Sequence, residues 1–347
     1  MTVGILTHHW KDDYGTMLQA YAIRRAVENA GHEPLFIDLC LPYASSHWGR
    51  IAGAFRHRRF EEFRRVFLTP LSLLPYRSMG ELRRNPPLCD CYLTAGPFTW
   101  NPSTCGNFLP AYFLAFGPES TRRIAYAPSS GLSSWADTTA FHIPEISRAL
   151  GRFSSILLAA PSEAHICKDI FGHHALQVVE PILLLDDYLE VTGPLTPGDE
   201  IVTYLREPLP DLNTAASLFC NEIGLPLHEI GTYSTGHAIG ASRTDSVRDW
   251  VSGIAEARMV ITDSPSALAV ALIYHRPFAI CLSDSQNALR VYDLLTALGL
   301  KDHIIHSSVA TDRLCELLND PIDWKLIDLR LGVLRSESRR LLRQALS

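Results

Sequence analysis

Three short stretches of this 347-residue chain carry residues that could do chemistry. The first is His8-His9-Trp10-Lys11-Asp12-Asp13-Tyr14-Gly15, lying between an apolar run and a helix-period segment that begins Thr16-Met17-Leu18-Gln19-Ala20-Tyr21-Ala22. Gly15 at a helix entrance lets backbone approach a ligand, and exposed N–H groups together with the helix dipole favour an anion. His9, at a strand end, is placed to serve as general acid or base, with Asp13 beside it. The competing roles are a packed strand-end histidine for His9 and a helix N-cap for Asp13 or Thr16. The second stretch is Arg206-Glu207, where Arg206 is able to clamp a carboxylate or phosphate bidentately, or else forms a surface pair worth little. The third is Asp263-Ser264, which either meets a ligand or caps the helix starting near Ala267.

Other clusters carry less. Arg58, Arg59, Arg64 and Arg65 on a helix offer a contact for an anionic glycan, a lipid-linked acceptor or a membrane surface, but interleaved Glu61 and Glu62 favour a solvated face. His173-His174 has no further ligand at metal spacing, so no metal is assigned. The eight cysteines (40, 89, 91, 105, 167, 220, 281 and 315) lack Cys-x-x-Cys spacing and read as buried free thiols. A net charge of −6 gives no footprint for nucleic acid. With no signal peptide and no apolar run near ~18 residues, a soluble, cytoplasmic protein without a transmembrane segment is expected. A homo-oligomer remains open.

The elements that must position these residues follow from periodicity. Strand Val3–Thr7, helix Thr16–Ala30 and strand His32–Leu39 form one βαβ unit, with further strands at Tyr92–Ala95, Ile124–Ala127, Ser155–Leu158 and Leu176–Val179. Between them, a helix within Ser46–Arg84 sets Phe60, Phe63 and Phe67 on one side and the arginines on the other. After a Gly/Pro-marked linker over Leu185–Glu200 the theme repeats. Strands are expected at Ile201–Leu205, Pro226–Ile230, Met259–Thr262 and Phe278–Leu282, and helices at Leu212–Ile223, Val247–Ala257 and Ala267–Tyr274. The tail Asp323–Leu346 is amphipathic and helical. The expected fold is α/β: two Rossmann-like domains facing each other, residues 1–185 and 200–322, with a C-terminal helical tail over 323–347; a single large sheet is the alternative. In such open sheets ligands bind beyond the carboxyl ends of the strands.

The segment Asp90-Cys91-Tyr92-Leu93-Thr94-Ala95-Gly96-Pro97-Phe98-Thr99-Trp100-Asn101-Pro102 resembles the signature of the polysaccharide pyruvyltransferase family, roughly Asp-x-Phe-Ile-Val-Gly-Ser-Asp-Gln-Val-Trp-Asn-Pro. Further matches run in order: His9, Tyr14, Gly15, Leu18, Gln19, Ala20, Tyr21 and Ala22; then Ile124-Ala125-Tyr126-Ala127-Pro128-Ser129-Ser130-Gly131; then Glu180-Pro181-Ile182-Leu183-Leu184; then Val260-Ile261-Thr262-Asp263-Ser264. The resemblance spans residues 3 to about 282 and implies a glycosyltransferase-B-like fold.

What it implies for chemistry is transfer of a pyruvyl group from phosphoenolpyruvate, as donor substrate and with no other cofactor, to a glycan or specialised-metabolite acceptor. Tyr14, Gly15, Gly96, Trp100, Asn101, Ser129, Ser130, Asp263, Ser264 and Ser266 are the substrate-binding candidates on this reading; His9, Asp13 and Arg206 are the catalytic candidates, His9 and Arg206 from their places just after the first strand of each half. The chain departs from the family at three polar positions. Pro97 stands where the loop Asp belongs, Leu158-Ala159-Ala160-Pro161-Ser162-Glu163 lacks the strand-end arginine, and Ser266 replaces a histidine. Chemistry altered from ordinary pyruvyl transfer is therefore expected. Two other readings stand beside it: a catalytically lapsed homologue acting as a binding or scaffold partner, and a glycosyltransferase using a nucleotide sugar.

Overall fold

A computed structural model describes residues 1–39, 49–132, 143–231, 245–282 and 288–347. Cys40 and the first residues of the Ser46–Arg84 stretch lie outside them. The chain divides into two compact units, one made of 1–54, 61–185 and 332–347, the other of 55–60 and 186–331.

The first unit is built on a six-stranded parallel sheet of β1 (Thr2–Leu6), β2 (Glu33–Phe36), β3 (Cys91–Ala95), β4 (Arg122–Tyr126), β5 (Ser155–Leu158) and β6 (Leu176–Gln177), in the order β2-β1-β3-β4-β5-β6. From β1 the chain crosses one way to β2 and then the other way to β3. The loops after β1 and β3 thus flank the switch point, where open α/β sheets take ligands. Register brings Leu6 opposite Thr94, so these two loops leave the sheet side by side. Apolar runs such as Ile5-Leu6 and Tyr92-Leu93 are buried on both faces, as parallel strands covered by helices require.

One buried cation organises the lower loops of this unit. Arg123 is fully buried and donates to the carbonyls of Leu114 (3.0 Å), Phe116 (2.7 Å), Pro118 (2.9 Å) and Thr121 (2.5 Å). A desolvated guanidinium needs such partners, and an irregular segment needs its carbonyls satisfied, so each stabilises the other.

The second unit carries a five-stranded parallel sheet of β7 (Ile201–Tyr204), β8 (Leu227–Glu229), β9 (Met259–Thr262), β10 (Phe278–Cys281) and β11 (Ile304–Ile305), ordered β11-β10-β9-β7-β8. Its switch point lies between β7 and β9. On one face Ile201, Met259, Ile261, Ala279 and Cys281 pack with Leu212, Ala216 and Phe219 of the Pro210–Ile223 helix and Leu314 and Leu317 of the Thr311–Asn319 helix. The C-terminal helix, Trp324–Leu346, is continuous; Arg122 donates to its final carbonyl at Leu346 (2.7 Å), where a cation suits the dipole.

Two separate sheets exclude the single-sheet alternative. The expected linker at 185–200 contains a short helix, Leu189–Thr192, and the strand expected at Leu176–Val179 closes after two residues. Short helices at Ile143–Leu150, Pro161–Asp169, Ala288–Leu298 and Thr311–Asn319 were not anticipated; helices of 8 to 11 residues form because each buries an apolar side, a tertiary stabilisation that local sequence does not display. No helix among the described residues is long and apolar enough to cross a membrane.

Candidate functional site

At the first switch point, the β1 loop runs His8–Asp13 into the helix Tyr14–Asn29. Asp13 is that helix's N-cap, its Oδ1 accepting from Thr16 N (2.8 Å) and Thr16 Oγ1 (2.7 Å). His9 is buried at 3% exposure; its Nδ1 lies 3.2 Å from the Thr7 carbonyl, its ring rests against Phe36, and Nε2 sits 3.8 Å from Asp38. His8 is buried too, edge-on to Tyr112 with centroids 4.6 Å apart, and burial pushes its pKa down to about 3. It is a neutral scaffold group. What the loop presents half-exposed is Trp10, Lys11 and Asp12.

The β3 loop is fastened to its neighbours on both sides. Gly96 has φ +102°, and an added Cβ would stand 2.8 Å from Thr7 Oγ1, so only glycine lets this loop cross the end of β1. The main chain of Ser129, in the loop after β4, accepts from Trp100 N (3.0 Å), its hydroxyl accepts from Phe98 N (3.2 Å), and its N–H reaches Gly96 O (3.3 Å). Asn101 donates to Ser130 O (2.6 Å) while its Oδ1 caps the Pro102–Cys105 helix through Thr104 N (2.9 Å). Trp100 stacks on Phe113 and donates to Tyr112 O (3.1 Å).

Glu163, on the Pro161–Asp169 helix, completes this network. Its buried Oε1 accepts from Ser130 N (3.0 Å) and Gly131 N (3.3 Å), and both oxygens take the Ser130 hydroxyl (3.3 and 3.2 Å). These are the backbone donors that an anionic ligand would otherwise use, and the protein's own carboxylate occupies them. Tyr14, Gly15, Gly96, Trp100, Asn101, Ser129 and Ser130 are all buried, so the structure brings the sequence-nominated residues of this unit together as the frame beneath the rim.

The second switch point is more open. Asp263 follows β9 and accepts the backbone N–H groups of Arg206 (2.8 Å) and Glu207 (3.0 Å), tying the β7 loop to the β9 turn. Burial raises the Asp263 carboxyl above the usual range, opposed by those two hydrogen bonds. Ser264 is the N-cap of the Pro265–Ile273 helix, its Oγ accepting from Ala267 N (3.4 Å). Pro265 at the first helical position lacks an N–H that would be orphaned anyway. Arg206, Asp263 and Ser266 are half-exposed at this one edge.

Sequence reasoning missed Trp10, Asp12, Arg64 and Glu163. Arg64 had a readable signal: it lies four residues after Phe60 and three before Phe67, on the aromatic side of its helix. Glu163 had none, since nothing local ties it to Ser130. His173, by contrast, is 2.9 Å from Ser147 O through Nε2, and among the described residues no group of three or more His, Cys, Asp or Glu is placed to hold a metal ion.

No protein-family model matches the chain, and no curated protein matches its sequence. Among solved structures, similar ones include the UDP-N-acetylglucosamine 2-epimerase from Rickettsia bellii (10% identity, 98% of this chain and 95% of that one, TM-score 0.55). Another is the UDP co-structure of MnaA from S. aureus (12% identity, 97% and 93%, TM-score 0.54). A third is the glycotransferase of kitacinnamycin (13% identity, 99% and 97%, TM-score 0.51). Together with the two parallel sheets and the C-terminal helix, these full-length matches show a glycosyltransferase-B fold.

They also correct the resemblance drawn from sequence. The structural neighbours are glycosyltransferases and UDP-N-acetylglucosamine 2-epimerases, not pyruvyltransferases, and the pyruvyl-transfer function is set aside with the phosphoenolpyruvate donor it implied. The three supposed losses then need no explanation as damage. Pro97 lies in the half-exposed β3 loop, the stretch around Pro161 starts a helix that delivers Glu163, and Ser266 sits in the first turn of a helix.

Proposed function

We propose that this chain is a glycosyltransferase that takes its sugar from a nucleotide donor, with the donor's diphosphate at the switch point of the second unit. The observation that carries this reading is the β9 turn, where a helix of nine residues begins at the carboxyl edge of a parallel sheet with Ser264 as its N-cap, Ser266 half-exposed in its first turn and Arg206 half-exposed at the same edge. The positive end of the helix and these donors suit a group whose negative charge grows as the glycosidic bond to phosphate breaks. In that step an acceptor hydroxyl attacks the anomeric carbon, the diphosphate leaves with the bonding electron pair, and the acceptor proton needs a base. In the first unit Asp13 is committed to its cap and His9 is buried, so neither group nominated from sequence is assigned that role. The UDP held by a protein of the same fold supports a nucleotide ligand.

Calorimetry with UDP and with UDP-N-acetylglucosamine tests the reading. The chain is expected to bind UDP, Ser266→Ala to weaken it by about fivefold for one lost hydrogen bond, and Ser266→Glu to abolish it by placing a charge against the phosphates. Absence of binding to any of UDP, dTDP and their sugars would sink the proposal. The epimerase neighbour favours a second reading, isomerisation of the nucleotide-linked sugar itself. Proton NMR of the sugar separates the two, because an epimerase inverts a ring carbon without releasing UDP.

A further inference from the structure

We infer that Asp263 is the positioning residue of the second unit's switch point, holding the β7 loop so that Arg206 meets the nucleotide's diphosphate; the inference rests on the reading of this edge as the donor's phosphate site. Its carboxylate is divided between two consecutive residues of that loop: Oδ1 accepts from Arg206 N (2.8 Å) and Oδ2 from Glu207 N (3.0 Å). These two N–H groups belong to the peptide planes on either side of the Arg206 Cα. Pinning both planes sets the backbone dihedrals of Arg206, and with them the direction in which its side chain leaves the loop.

The sequence of the loop gives it little means to hold itself. Between Tyr204, which ends β7, and Pro210, which starts the next helix, Pro208 has no N–H to donate, and the Pro210–Ile223 helix takes no side-chain cap from Leu209. The β9 turn supplies what is missing. Thr262 Oγ1 donates to Tyr204 O (2.6 Å) and accepts from Ser264 N (3.0 Å), while Ser264 caps the Pro265–Ile273 helix. Three successive residues, Thr262, Asp263 and Ser264, thus hold the end of β7, the loop carrying Arg206 and the helix start carrying Ser266 in one frame.

Charge and geometry pull in opposite directions here. A carboxylate beside a diphosphate repels it, so removing the charge alone would tighten nucleotide binding. A carboxylate that aims a guanidinium does the reverse. Asparagine at position 263 separates the two, because it is neutral and of similar size but has one oxygen acceptor where the carboxylate has two, and its amide nitrogen donates. One of the two loop N–H groups then loses its partner. Burial works against the ionised form of Asp263, whereas the N–H groups of Arg206 and Glu207 and the charge of Arg206 work for it. The bonds that fix the loop are therefore the ones that keep the carboxylate able to accept both.

The experiment is a double-mutant cycle in the full chain, with UDP affinity read by calorimetry for Arg206→Ala, Asp263→Asn and the two combined. Asp263→Glu, which keeps the charge but moves it outward, is a second variant at the same position. Hydrogen exchange of peptides over residues 205–209 is followed in all of them. Arg206→Ala is expected to weaken UDP about tenfold by removing one charge-assisted contact, and Asp263→Asn about as much. The combined variant should lie within about twofold of Arg206→Ala alone, because an anchor has no effect once the group it aims is gone. Exchange over 205–209 should rise in Asp263→Asn and stay unchanged in Arg206→Ala. The inference is overturned if neither variant at 263 binds UDP more weakly than the unmodified chain, or if the loss is the same with and without Arg206. In the first case the carboxylate acts by its charge; in the second it acts through the fold at large. Failure of the unmodified chain to bind any of UDP, dTDP and their sugars would defeat the glycosyltransferase reading and the ligand part of this inference, while exchange over 205–209 would still decide whether Asp263 holds the loop.

Discussion

Between β1 and β3 the loop polar groups are spent on one another: Ser129 holds Phe98 and Trp100, Asn101 holds Ser130, and Glu163 fills the Ser130–Gly131 backbone donors. Between β7 and β9 a single carboxylate, Asp263, ties the two loops, and the first turn of the following helix stays at the surface with Ser266 half-exposed. The topology is the same in both places, so topology does not decide what a switch point can bind. Where internal groups consume the backbone donors, a ligand meets only rim side chains such as Trp10, Lys11 and Asp12. Where they are left at a helix start, a ligand meets backbone and hydroxyl together.

The contrast predicts that the first region answers to mutation chiefly in stability and the second chiefly in affinity. The largest effect is expected for Glu163→Ala, which leaves two buried N–H groups and a hydroxyl without their acceptor; urea unfolding should show a loss of about 3 kcal/mol. A loss under about 1 kcal/mol would mean that water replaces the carboxylate and that the region is less dry than its burial implies. Gly96→Ala comes next, at about 2 kcal/mol, because alanine is strained at φ +102° and its methyl would press on Thr7 Oγ1. An unchanged denaturation midpoint would show that the crossing of β1 is looser than the 2.8 Å approach indicates.

The smallest expected effect lies at the second region and appears in the pH dependence. Asp263 has its carboxyl raised above the ordinary 3.8, mainly by burial, so the native state holds its proton more tightly than the unfolded chain. Its contribution to stability is thus fully present below pH 3.8 and is lost as pH rises through the raised value. Asp263→Asn should flatten that part of the stability profile in unfolding experiments from pH 3 to 7. A profile with the same slope in both proteins would assign the titration to another group.

Most of the scaffold was legible because parallel strands and amphipathic helices announce themselves locally. Ile201–Tyr204, Met259–Thr262 and Phe278–Cys281 fall where the apolar runs place them, and the helix read from Met17, Leu18, Tyr21 and Ala22 is found with its start at Tyr14. The site was legible only as a neighbourhood. Asp13 and Ser264 each allowed a ligand-binding or a capping role, and the structure shows both as caps, since a side-chain oxygen two or three residues ahead of a helix's free N–H groups is the nearest partner they have. Arg64 was grouped with a solvated arginine face because charge was weighed before position; its spacing from Phe60 and Phe67 already put it on the packed side.

The sequence by itself determined two parallel α/β halves, a helical tail and the loops after β1, β3, β7 and β9 as the places where chemistry could sit. These follow from hydrophobic period and from the short-range rules that end strands and start helices. Only the tertiary structure decided which polar residues in those loops are available to a ligand, because availability depends on partners such as Glu163 and Arg64. They reach Ser130 and Asp12 across 33 and 52 positions of chain, and no local pattern encodes an encounter at that separation.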